Sequence, residues 1–213
     1  MSPTPKRRVI LVRHGQTDFN REGKVQGVVD IPLNEDGRSQ AELMAPEVAA
    51  FSLTKLVASD LGRAVETARA IAERCGAEVV VDDRLRERGF GSFEGATREE
   101  MTAQHPLWFQ QWKDTGECED AGIESRRVVG ERFAKAVEFH SEREQTLVVV
   151  SHGSAITQGM CVLLGLDPSQ WMGLAGLNNC HWSVLETSAR SPKWRLLAHN
   201  VGVTSLDEGR SMA

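Results

Sequence analysis

Apolar and polar positions along the chain fall into alternating runs of two periods. Val9-Ile10-Leu11-Val12 is a short continuous apolar run, the pattern of a strand buried on both faces, and it stops abruptly at Arg13-His14-Gly15. Lys55 to Ala58, Glu78 to Val81 and, most clearly, Thr146-Leu147-Val148-Val149-Val150 read the same way. Helical patterns lie between them. One starts from the N-cap candidate Asn34, with Glu35 and Asp36 in its first turn, and is expected to kink or end at Pro46, then to resume to Phe51 or yield to a short second helix. A second, over residues 60–75, sets Leu61, Ala64, Val65, Ala68, Ile71 and Ala72 on one face and stops at Cys75-Gly76. Two more run from Glu124 to Ser141 and from Ser154 to Leu164. Final strands are expected near 180–187 and 194–199, with polar loops over Asp18 to Pro32 and Asp83 to Gly95. Short helices bearing Trp108, Phe109 and Trp112 are expected between Ala96 and Gly122. Strands alternating with helices predict an α/β protein, a three-layer α/β/α sandwich around a mainly parallel central sheet.

A length of 213 residues fits one domain spanning 1–213, with residues 1–7 and those from Thr204 expected to be flexible. The net charge of −5 argues against a nucleic-acid partner, yet a few clustered arginines can still make a local anion site. Cys75, Cys118, Cys161 and Cys180 are far apart and form no CxxC pair, the usage of reduced thiols rather than of a zinc site or disulfide framework. The chain passes from Lys6-Arg7-Arg8 into its first strand with no apolar signal segment between. Its longest apolar window, Thr146 to Leu166, is broken by Ser151, His152, Gly153, Ser154 and Gln158, which a membrane span would accommodate badly. A cytoplasmic protein with no membrane partner is expected, a monomer or homodimer.

Reactive residues sit at three strand ends: Arg13-His14-Gly15, Ser59 leading to Arg63 in the first turn of a helix, and Ser151-His152-Gly153. In a parallel sheet all three arrive at one edge, where helix N-termini favour an anion. Arginine offers a rigid fork of donors for phosphate or carboxylate, and histidine is a nucleophile or acid/base near neutral pH. A lone strand-end histidine is as often a packed one, and a lone helix arginine more often a solvated one. Two His-Gly pairs and an arginine converging on one edge are hard to explain as packing. The six histidines form no i, i+4 pair and no dense cluster with acids, so neither a metal nor another cofactor is expected.

Arg13-His14-Gly15-Gln16-Thr17, followed by Asn20 and Gln26-Gly27, resembles the opening of the histidine phosphatase (phosphoglycerate mutase-like) superfamily. The resemblance continues through Ser59-Asp60-Leu61-Gly62-Arg63-Ala64-Val65-Glu66-Thr67-Ala68, Leu85-Arg86-Glu87-Arg88-Gly89-Phe90-Gly91-Ser92-Phe93-Glu94-Gly95, Glu124-Ser125 and Val150-Ser151-His152-Gly153, from about residue 8 to 200. It implies that His14 forms a phosphohistidine, and that Arg13 and Arg63 stabilise the phosphoryl oxygens. It makes His152 a further donor, cationic once phosphate is bound, and Glu87 the acid and then base. Asn20, Thr17, Gln26, Gly27 and Gly153 complete the phosphate pocket in that reading. The substrate class implied is a small-molecule phosphate ester.

Ala96 to Arg127 is where family members build a lid, here holding Arg98, His105, Trp108, Trp112, Glu124, Arg126 and Arg127. Its aromatic rings could stack on a sugar or simply seat the lid, and an extra arginine could hold a carboxylate. Glu87-Arg88-Gly89-Phe90-Gly91 departs from the Glu-Arg-His-Tyr-Gly of mutase members, and the lid is short. Both points favour a hydrolase over a phosphoglycerate mutase, since a shorter lid admits water. Within the phosphatase branch, Gln16-Thr17, the Trp-bearing lid and Asn178-Asn179 with Trp182 are similar to glucosyl-3-phosphoglycerate phosphatases. Broad sugar-phosphate and α-ribazole phosphatases are the neighbouring alternatives.

Overall fold

The computed structural model describes residues 6–141 and 145–203. The buried run after Arg7 forms β1 (Arg8–Arg13), and β2 (Lys55–Ala58), β3 (Val79–Val81) and β4 (Thr146–Ser151) lie parallel to it in one sheet. β5 (Trp182–Thr187) pairs antiparallel with β1, and β6 (Trp194–Val201) antiparallel with β5. The strand order is β3-β2-β4-β1-β5-β6. Strand side chains alternate between the two faces, and each face is covered. Val9, Leu11, Val57, Leu147 and Val149 pack under α6 (Arg126–His140) and α7 (Gly153–Leu163). Ile10, Val12, Leu56, Val148 and Val150 pack under α2 (Glu35–Ala49) and α3 (Gly62–Cys75). Each such aliphatic side chain contributes about 1.5–3 kcal/mol on burial, so the sheet core anchors the fold.

Parallel pairing sets the register that matters for chemistry. Arg13 lies opposite Ser151, and Ala58 opposite Val150, so the residues after β1, β2 and β4 emerge side by side. Outside the sandwich, α4 (Arg98–Gln104) and α5 (Pro106–Thr115) form a lid with its own small core of Phe93, Met101, Phe109, Cys118, Ala121 and Ile123. Trp108 and Trp112 pack against that core, Trp108 stacked on His105 at 4.5 Å and Trp112 edge-on to Phe93 at 5.7 Å.

Three local expectations change. Pro46 does not end its helix, because it sits on the exposed side of α2 near the C-terminus while Ala41, Met44, Ala45 and Val48 are buried. The carbonyl of Glu42, deprived of a partner by the proline ring, belongs to an exposed residue that water can reach. The loop over Asp18 to Pro32 contains a short helix, α1 (Asp18–Arg21), nucleated by a reciprocal cap between Thr17 and Asn20. Finally, Lys6 and Arg7 are held rather than loose. Lys6 pairs with Glu186, and Arg7 bonds Ser141 and the Thr187 hydroxyl, with its guanidinium over Trp194. Residues 1–5 and those from Thr204 lie outside the described residues. Among the described residues no helix is long and apolar enough to cross a membrane.

Candidate active site

His14 leaves the end of β1 almost fully buried, at 2 % exposure, with its backbone N–H on the carbonyl of Ser151 at 2.9 Å. Gly15 is required beside it: a Cβ there would lie 2.4 Å from the backbone oxygen of Gly37, so the His14 loop touches the first turn of α2 directly. The ring Nδ1 lies 2.7 Å from the Gly15 carbonyl oxygen. A carbonyl only accepts, so Nδ1 carries the proton and the lone pair falls on Nε2. Nε2 makes no hydrogen bond among the described residues. Burial, reinforced by the Arg63 and Arg13 charges, holds the imidazole well below the usual histidine range. The ring is therefore an uncharged base with one free nitrogen.

The two arginines are fixed differently. Arg63, in the first turn of α3, is fully buried and donates to the carbonyls of Val29 (2.7 Å) and Gly27 (2.8 Å) and through Nε to His152 Nδ1 (3.2 Å). Gly27 reaches that position at φ +55°, a left-handed conformation glycine adopts without strain. Arg13 donates to the Leu177 carbonyl at 2.5 Å and keeps a buried Nε with no partner. A buried donor left unpaired is costly unless a ligand satisfies it.

His152, expected to be cationic once phosphate is bound, is uncharged before a ligand binds. Its Nδ1 accepts from Arg63, so Nε2 carries the proton toward the Ser59 hydroxyl at 2.9 Å. Burial first, then Arg63, His14 and Arg13, hold it well below the ordinary range, and its ring lies 5.1 Å from that of His14. In this geometry it is a neutral strut between an arginine and a serine.

Glu87 is held at the N-terminus of α7. Oε1 accepts the backbone N–H groups of Arg88 and Ala155, each at 2.8 Å, and Oε2 that of Ser154 at 3.0 Å. Its charge acts on both Arg13 and Arg63, which places it electrostatically with the His14 cluster. Gly153 opens α7 and packs near Arg13, with 3.5 Å from a built Cβ to Arg13 Nε. Thr17 and Asn20 cap one another, and Thr17 also donates to Gln26 Oε1 at 2.9 Å. Asn20 reaches the cluster through Asn179, whose side chain donates to Asn20 Oδ1 and to the His14 carbonyl.

All ten residues singled out in the sequence thus lie in one connected cluster. Sequence reasoning did not single out the supports around it. Arg132 of α6 donates to the carbonyls of Arg84, Arg86 and Glu87, fixing the segment that carries Glu87. Thr67 accepts the Gly15 N–H and donates to the Arg63 carbonyl. Only the i, i+4 spacing of Arg63 and Thr67 on one helix hinted at the latter; nothing local marked Arg132. Among the described residues no three of His, Cys, Asp and Glu are grouped to hold a metal ion.

A neutral histidine at a parallel strand end, two arginines and a carboxylate at a helix N-terminus stand together on an α/β sheet, an arrangement suited to an anionic ligand. The histidine phosphatase superfamily (branch 1) model matches residues 9–201, and the chain belongs to that family. It is 34% identical over 206 residues to a glucosyl-3-phosphoglycerate phosphatase of Mycobacterium tuberculosis, covering 89% of this chain and 92% of that one. It is 35% identical to phosphoserine phosphatase 1 of Hydrogenobacter thermophilus over 86% of this chain and 88% of that one. It is also 38% identical to a probable phosphoglycerate mutase of Serratia proteamaculans over 82% of each. A solved mycobacterial glucosyl-3-phosphoglycerate phosphatase in complex with VO3 superposes with a TM-score of 0.83 at 36% identity, covering 92% of this chain and all of that one. Family membership together with phosphatase relatives makes the chain a phosphoric monoester hydrolase by class.

Proposed function

We propose that the protein hydrolyses a small phosphorylated metabolite, a phosphoglycerate derivative or sugar phosphate, through a phosphohistidine on His14 and without a metal. The observation that carries this reading is the free, uncharged Nε2 of His14 beside two arginines and Glu87. In the first displacement Nε2 attacks phosphorus, the bond to the leaving oxygen breaks, and Glu87 supplies that oxygen with a proton. In the second, Glu87 takes a proton from water as it attacks phosphorus, the P–N bond breaks, and phosphate departs. Arg13 and Arg63 neutralise the charge on the non-bridging oxygens, the larger part of what a protein can contribute to phosphoryl transfer.

The substrate class rests on the likeness to glucosyl-3-phosphoglycerate phosphatases. The mutase reading keeps a place because relatives named probable phosphoglycerate mutase are equally similar. With 3-phosphoglycerate and a bisphosphate primer, free phosphate should form faster than isomer; the reverse ranking defeats the hydrolase reading. His14→Ala should lower turnover by about 10⁴-fold or more with an unchanged circular dichroism spectrum. Full wild-type activity in EDTA on an aryl phosphate tests the metal independence, and loss of activity there refutes it.

A further inference from the structure

Beside Glu87 a cavity of about 720 Å³ opens between the lid and α7, within the range of small-molecule sites. Arg13, His14 and Arg63 do not line it, whereas Ser154, whose N–H holds Glu87, does. Through Ser154 the cavity adjoins the carboxylate assigned above to the leaving oxygen. Among the described residues four cations line it, Arg88, Arg98, Lys113 and Arg126, and no acidic residue does. In a chain of net charge −5 that is a marked local inversion.

Arg126 is the unusual member. It is 5 % exposed, and among the described residues it has no carboxylate within ion-pair distance. Its Nε donates to Gln158 Oε1 at 3.2 Å and its Nη2 to the Trp171 carbonyl at 3.0 Å, while Nη1 is buried without any partner. Glu117 does not compensate it: one carboxylate oxygen pairs with Arg88 at 2.7 Å and the other accepts the Arg126 backbone N–H. Burying an arginine without a counter-ion is strongly unfavourable, and an orphaned N–H adds to that cost. Neutral acceptors fix the plane of the guanidinium, whose field reaches Asp167 without an ion pair, that carboxylate being taken by Arg127.

We propose that Arg126 is the specificity residue for a carboxylate on the alcohol half of the substrate, a reading that rests on the phosphatase function above. A carboxylate suits the site because it supplies the single negative charge that, among the described residues, no ion pair gives Arg126. Gln158 lies four residues beyond Ser154 on α7, about 6 Å along the helix axis, so the carboxylate sits a few atoms from the scissile oxygen. Phe90 and Trp112, also in the cavity wall, cover the rest of the leaving group.

The test compares 3-phosphoglycerate with glycerol 3-phosphate, the same skeleton with and without the carboxylate, and an aryl phosphate as reference. Wild-type protein should favour 3-phosphoglycerate in kcat/KM, and Arg126→Met should reduce that preference by about 30-fold, mainly through KM, with partial recovery in Arg126→Lys. Equal losses on both substrates, or no wild-type preference, overturn the assignment. Should Arg126→Met not fold, inhibition of the wild-type aryl phosphatase by glycerate and by glycerol decides: glycerate inhibiting at lower concentration supports the assignment, and equal inhibition overturns it. Absence of any wild-type aryl phosphate hydrolysis would instead strike the phosphatase reading itself.

Discussion

Arg13 and Arg63 act twice on the imidazole between them. They oppose its protonation, and in the proposed mechanism they also attract the phosphoryl group that its free nitrogen attacks. In that mechanism Glu87 does the complementary work on the leaving oxygen, and its three backbone donors position it without occupying it through a cation. Glu87→Gln keeps the shape and several of those bonds but cannot transfer a proton. It should therefore slow alkyl phosphates by about 10²–10³-fold and an aryl phosphate, whose leaving group needs little protonation, by under about 10-fold. Equal losses on the two, measured as kcat, would contradict the acid role. His152 carries a different lesson: its hydrogen bonds to Arg63 and Ser59 make it a part of the arginine's support before any ligand arrives.

At the scale of elements, the site depends on how closely α6 approaches α7. Gly130 of α6 makes that approach possible, since a Cβ there would lie 2.8 Å from the Gln158 carbonyl oxygen and 2.9 Å from Val162. The obstructing atom is backbone, so it cannot rotate away. Gly130→Ala should cost about 1–3 kcal/mol, read as a lowered denaturant midpoint at unchanged m-value. A variant as stable as wild type would mean that the two helices separate without penalty. The same pair carries function at both ends: α7 holds Glu87 at its N-terminus, and α6 supplies Arg132 beneath the Glu87 segment.

For the whole molecule, the buried histidines impose a pH dependence on stability. His14 and His152 are held well below the ordinary range in the fold but regain it on unfolding. The unfolded chain therefore binds more protons below about pH 6.5, and folding stability falls as the solution is acidified from there, by up to about 1.4 kcal/mol per pH unit for each histidine. Urea unfolding between about pH 7 and pH 5 should reveal this loss, and His14→Asn should make the slope shallower. An identical slope in the variant would remove His14 as a source. Asp82 acts in a separate window. Hydrogen bonds from Arg84 first, and from His140, lower its carboxyl to about 2, so its contribution is lost only as the pH falls from its ordinary value near 3.8 toward 2.

The order of strands and helices, the mainly parallel sheet and the strand-end residues His14, Arg63 and His152 were written locally, in buried apolar runs that stop at polar residues. Hydrophobic period and capping act over a few residues, which is why a linear reading captures them. The folded molecule alone decided that Pro46 continues a helix on its exposed side, that Arg7 is tied down, and that Arg132 supports Glu87 from 45 residues away. It also decided which lid arginine lacks a counter-ion among the described residues: Arg127 pairs with Asp167, and Arg126 pairs with no acid there. Charge compensation depends on distances between residues remote in the chain, and those distances exist only once the helices have packed.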